Sequence, residues 1–97
     1  MIQSGGVSLG VLTAGDWNLT SGIGDREYRS ADIPFPTRFS AQPSVALSLA
    51  GLDCEHTANV RVEVYPENVQ PEEFNIVVRT WHDTVIHSVV VTWIAHD

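Results

Sequence analysis

A chain of 97 residues with a net charge of −7 has room for one domain, 1–97, and a domain of this size covers only ~60–65% of the surface its unfolded chain exposes. Its positive residues are five arginines (Arg26, Arg29, Arg38, Arg61 and Arg79) with no lysine, which excludes the positive field that nucleic acids and anionic membranes require. The single cysteine, Cys54, excludes an internal disulfide, and residues 1–4 lead into polar and glycine residues with no apolar run of signal-peptide or membrane length.

In chain order, residues 2–4 and 7–12 read as short strands rich in turn residues. Asn18, Leu19 and Thr20 match the glycosylation acceptor pattern, which matters only for a secreted chain. Residues 22–27 form a loop carrying Gly22, Gly24 and Asp25. It is either a plain surface turn or a rigid turn whose carboxylate accepts from neighbouring hydroxyls, and it lacks the context of a phosphate loop. Residues 33–35 are extended, and Pro34 places them at a sheet edge.

The second half alternates more sharply. In residues 44–52, Val45, Leu47 and Leu49 share a face. In residues 59–65, Val60, Val62 and Val64 oppose Asn59, Arg61, Glu63 and Tyr65, the period-2 pattern of a half-buried strand. Residues 66–71, bounded by Pro66 and Pro71, read as a loop. Residues 74–82 and 85–95 then read as a hairpin joined at Asp83 and Thr84. In that register Val78 meets Val89, Ile76 meets Val91 and Phe74 meets Trp93 on one apolar face. The opposite face, with Arg79, Ser88, Val77 and Val90, has the mixed polarity of a subunit interface. No helical period persists, so the expected fold is an all-β, six-stranded antiparallel β-sandwich.

Chemistry concentrates at Trp81, His82, Asp83 and Thr84, with His87 expected diagonally beside His82. An aromatic next to hydrogen-bonding groups suits a sugar, which has an apolar C–H face and a rim of hydroxyls. The alternative is an interior Trp81 and a surface His82. Arg61 is either solvated or paired with Glu63, or a planar fork that grips ligand oxygens. No nucleophile–base pair, paired carboxylates or complete zinc set is visible, so neither an enzyme nor a metal or cofactor is expected.

Leu52 and Asp53, the run Asn59, Val60, Arg61, Val62, the run Thr80 to Thr84, Ser88, and Trp93 with Ile94 together resemble the core pattern of H-type lectins, which include snail agglutinins and the C-terminal domain of discoidins. Gln3, Ser4, Gly5, Trp17, residues 33–35 and residues 42–45 fit as well, so the resemblance spans nearly the whole chain. It implies a sandwich that assembles as a homotrimer, sometimes stacked into a hexamer as a dimer of trimers. It further implies metal-free binding of terminal N-acetylgalactosamine or galactose between subunits, hence action on secreted or cell-surface glycans. By position, Arg61 would come from one subunit, Trp81 and His82 from another, and Gly24 with Asp25 from the N-terminal loop. His87 stands where the family often has tyrosine, the carboxylate loop differs in length, and the cysteines of the snail members are missing. That tyrosine replacement is the feature favouring the alternative reading, a structural trimerisation or assembly module with a degenerate sugar pocket.

Overall fold

The computed structural model describes residues 1–97, which form seven β-strands and no helix. They are β1 (Ile2–Gly10), β2 (Arg26–Arg29), β3 (Ile33–Pro34), β4 (Ser44–Cys54), β5 (Glu63–Glu67), β6 (Glu73–Thr80) and β7 (Ile86–His96). Two antiparallel sheets result. In one, β7 lies between β1 and β4. In the other, β6 is central: β2 pairs with its residues 77–80, β5 with 75–79 and the edge strand β3 with 73–74.

Seven strands replace the expected six because a new strand, β2, begins at Arg26, inside the stretch expected to be a loop. Residues 2–4 and 7–12 fuse into one strand, paired with β7 without a break from Ile2 to Gly10. Of the two glycines that interrupt the apolar pattern, Gly5 is required by packing. A Cβ on Gly5 would sit 2.7 Å from the Trp93 indole. Residues 59–62 precede β5 rather than belonging to it, and Val60 is exposed, whereas Pro66 and Glu67 continue β5 into the expected loop.

The expected hairpin is the main correction. β6 and β7 do not pair; they lie in different sheets. The stretch from Trp81 to Val85 lies outside both strands and carries the chain from one sheet to the other. The expected apolar faces do occur. Phe74, Ile76 and Val78 of β6 and Val89, Val91 and Trp93 of β7 all join one buried core, but they meet face to face across the sandwich, with the Phe74 and Trp93 rings 5.4 Å apart. Period-2 alternation says which side is apolar, and lateral or facing partners bury the same residues.

It follows that the opposite sides of β6 and β7 are not one surface. Arg79, Val77 and Asn75 lie on the outside of the β6 sheet. Val77 is fully buried yet stands outside the core cluster, flanked in register by Arg29 and Tyr65. Asn75 is buried by donating to the Ser30 carbonyl and Asp32 while accepting from Asn68. Ser88, Val90 and Thr92 lie on the outside of the other sheet. Phe35, stacked on Phe74 at 5.3 Å, and Phe39 close the core at one end. Cys54 is a half-buried free thiol packed against it.

Candidate functional site

The site begins with the unpaired segment before β5. Regular ladders do not hold residues 59–62; two buried threonines do. Thr80 Oγ1 donates to the Arg61 carbonyl, and Thr84 Oγ1 donates to the Asn59 carbonyl at 2.6 Å. The Arg61 side chain, 22% exposed, then turns toward the inter-sheet link. Its Nη1 donates to Asp83 Oδ1 at 2.8 Å and to Thr84 Oγ1 at 3.1 Å. Thr84 thus gives its one proton to Asn59 and a lone pair to Arg61, as a hydroxyl can. The hydrogen bond from Arg61 holds the Asp83 carboxyl below its ordinary value of 3.8. Arg61 Nε and Nη2 have no protein partner, so three donors of a fixed fork remain available. Glu63, the expected partner of Arg61, bonds Arg79 instead.

The link itself is held from the N-terminal side. Arg26 Nη2 donates to the carbonyls of His82 and Thr84 at 3.0 and 2.9 Å, and its Nε donates to the Gly24 carbonyl at 2.9 Å. One guanidinium therefore ties the Gly24–Asp25 turn to the Trp81–Thr84 corner. Gly24 adopts φ 70°, a left-handed conformation that glycine accepts without penalty. His82 is also left-handed, at φ 61°. For a residue with a Cβ this costs roughly 1–2 kcal/mol, and the bond from Arg26 to its carbonyl fixes it. Strain held by surrounding contacts is common at binding sites.

Asp25 is 80% exposed and lies 3.8 Å from Arg79 Nη2. Arg79 also donates to Glu63 at 2.9 Å and places its guanidinium carbon 4.8 Å from the centre of the half-buried Trp81 ring. Four charged residues, Asp25, Arg26, Glu27 and Arg79, line a shallow depression of about 200 Å³.

A single chain therefore brings together Asp25, Arg61 and the Trp81–His82 corner. The family resemblance would draw Arg61 and Trp81–His82 from different subunits; here Arg61 also bonds Asp83, the neighbour of His82, within its own chain. His87 is not brought to this cluster. The expected diagonal with His82 depended on the hairpin. His87 lies instead in the other sheet, at an irregularity of the β4–β7 ladder, where its Nε2 pairs with Glu55 Oε1 at 2.7 Å. Sequence reasoning put Thr84 in the cluster but missed Arg26, Arg79 and Thr80 as parts of the site, together with the carbonyl bonds of both threonines. The available signal was the lysine-free arginine set, which suits forked bonding; hydroxyl bonds to backbone carbonyls have no period to read.

The H-type lectin domain matches residues 30–96 as a family. Over 75 residues the chain is 41% identical to the protein "ATP synthase subunits region ORF 7" of Fuscovulum blasticum, covering 77% of this chain and 64% of that one. It is 30% identical over 97 residues to a discoidin-1 chain of Dictyostelium discoideum, covering 97% of this chain and 38% of that one. The chain thus spans less than two-thirds of the length of these curated relatives. Recombinant discoidin II of Dictyostelium discoideum superposes with a TM-score of 0.83 at 26% identity, over 98% of this chain and 36% of that one. The tailspike gp61 of Pseudomonas phage phi297 shares the fold at 14% identity and a TM-score of 0.62, over 98% of this chain and 15% of that one.

Proposed function

Because the chain belongs to the H-type lectin family, we propose that it is a multivalent lectin that binds terminal N-acetylgalactosamine or galactose at sites completed between the subunits of a trimer. The family and the likeness to discoidins support carbohydrate binding in general and point to a non-enzymatic role. The observation that carries the finer reading is Arg61. Asp83 and Thr84 hold it through Nη1 alone, so its free Nε and Nη2 donors stand at the corner that presents Trp81 and His82. A fork with fixed geometry suits two neighbouring sugar oxygens, and the indole suits the C–H face of the ring.

The local charge fits a neutral, hydroxyl-rich ligand. Arg26, Arg61 and Arg79 are set against Asp25, Glu27, Glu63 and Asp83, three positive groups against four negative, a net of −1. An anionic ligand would meet no net attraction there. For assembly, the outside of the β1–β7–β4 sheet offers a face of small and apolar residues, including Ser4, Ala46, Ser48, Val90, Thr92 and Ile94. A trimer joined there would turn one weak sugar site into avidity.

The test is a glycan array followed by titration. Retention of galactose-type glycans is the expected result, and Arg61→Ala should lower the affinity at least about tenfold, since a charged hydrogen bond contributes ~1.5–3 kcal/mol. Light scattering should give a mass of three chains, and a single-chain mass would remove the intersubunit part of the reading. An array with no galactose-type binding would leave the assembly-module reading, favoured by the engagement of His87 with Glu55.

A further inference from the structure

Trp81 lies on the link between sheets, outside both ladders. Nothing in the backbone pairing fixes the ring that a sugar would meet. The neighbour that does meet it is Arg79, on the regular strand β6, with its guanidinium 4.8 Å from the ring centre. Arg79 is itself held. Glu27 and Glu63 flank it in register on the two adjacent strands. Glu63 accepts from its Nη1 at 2.9 Å, and Asp25 lies 3.8 Å from its Nη2. Glu27 is engaged by the Tyr65 hydroxyl at 3.1 Å, which leaves Arg79 to Glu63, Asp25 and the indole.

We propose that Arg79 is a positioning residue of the sugar site, holding the Trp81 indole from one face so that only its edge and remaining face meet the ligand. The proposal rests on the lectin reading above. A guanidinium over an indole is attracted by the ring's negative face, and the attraction survives partial exposure. Because β6 is paired on both sides, the orientation of Trp81 is inherited from a central strand although the residue itself sits on a link. The same guanidinium faces Asp25, so one side chain sets the spacing between the carboxylate and aromatic halves of the site.

The test uses Arg79→Met, which keeps a long apolar stem without charge, and Arg79→Lys, which keeps the cation. Affinity is measured by titration with methyl N-acetylgalactosaminide. The emission of Trp81 is read as the difference from a Trp81→Phe variant, and circular dichroism checks the fold. Arg79→Met should bind about fivefold more weakly with shifted Trp81 emission, and Arg79→Lys should stay within about twofold of the native chain. A residue that merely stabilised the sheet would change neither emission nor affinity in folded protein. Should Arg79→Met fail to fold, Glu63→Gln loosens Arg79 without removing it and should weaken binding in the same direction. Native affinity with unchanged Trp81 emission in folded Arg79→Met, native affinity in Glu63→Gln where Arg79→Met does not fold, or an Arg79→Lys variant as weak as Arg79→Met would overturn the proposal. A native chain that binds no galactose-type glycan would instead overturn the lectin reading on which it rests.

Discussion

Replacing Thr84 by valine tests how the site is built without touching any group that would contact a sugar. The two side chains have nearly the same shape, so no cavity opens; only the hydroxyl is lost. Thr84 is 1% exposed. Its hydroxyl donates to the Asn59 carbonyl at 2.6 Å and accepts from Arg61 Nη1 at 3.1 Å. A buried polar group left without its partner costs ~1–3 kcal/mol. The lower half of that range applies, because Asn59 lies at the surface and Arg61 keeps its bond to Asp83. In a domain of this size each kcal/mol moves the melting temperature by roughly 4–8 °C. Thr84→Val should therefore melt about 5–15 °C lower by calorimetry. Losing one of the two anchors of Arg61 should also weaken galactose-type binding about three- to tenfold in a titration at a temperature where the protein is folded. Thr84→Ser keeps the hydroxyl and should bind like the native chain. A Thr84→Val protein with native melting temperature and native affinity would refute the claim that the threonine hydroxyl holds Arg61 in place.

Two further outcomes follow from particular distances. Gly5→Ala would put a Cβ 2.7 Å from the Trp93 indole, whereas Gly6→Ala meets nothing nearer than 3.6 Å. Gly5→Ala should lose ~1–3 kcal/mol by overpacking and Gly6→Ala very little, so equal melting temperatures for the two would contradict the close approach of Gly5 to Trp93 in the β1–β7 ladder. In acid, the bond from Arg61 lowers the Asp83 carboxyl in the folded chain, so its contribution is complete above the ordinary value of 3.8 and is lost as pH falls below it, through the lowered value. Sugar affinity should accordingly hold from neutral pH down to about pH 4 as far as Asp83 is concerned, then fall. Asp83→Asn should already bind weakly at neutral pH and lack that acid step, and an unaltered acid step in this variant would assign the titration elsewhere.

Much of the fold was legible because strand burial follows a period of two. Phe74, Ile76, Val78, Val89, Val91 and Trp93 were all assigned to one apolar side, and all are core. Their pairing was not legible, because five residues between β6 and β7 can close a hairpin with a ragged end or cross between sheets. Alternation is silent between the two. The error carried into the site through His87, whose expected place beside His82 existed only in the hairpin. Arg61 was legible as a residue type, but its direction depends on Thr80 and Thr84 bonding to carbonyls 19 and 25 residues earlier. Such bonds leave no local pattern.

The arginine-only composition proves more informative than any single position. Arg29 and Arg38 sit at the surface in ion pairs with Glu67 and Glu72, the kind of contact that contributes little. The other three converge on one corner, and each engages several groups at once. Arg26 spans four carbonyls, those of Leu19, Gly24, His82 and Thr84. Arg79 joins Glu63 to the face of Trp81 while facing Asp25. Arg61 uses one nitrogen for Asp83 and Thr84 and keeps the rest of its fork free. Lysine in place of Arg26 or Arg61 would keep the charge and lose the fork, whereas at Arg79 the cation over the indole is the part that matters. The site is therefore an arrangement of planes and forks on a frame of strands, and the proposal of a neutral ligand rests on the four carboxylates interleaved among those arginines.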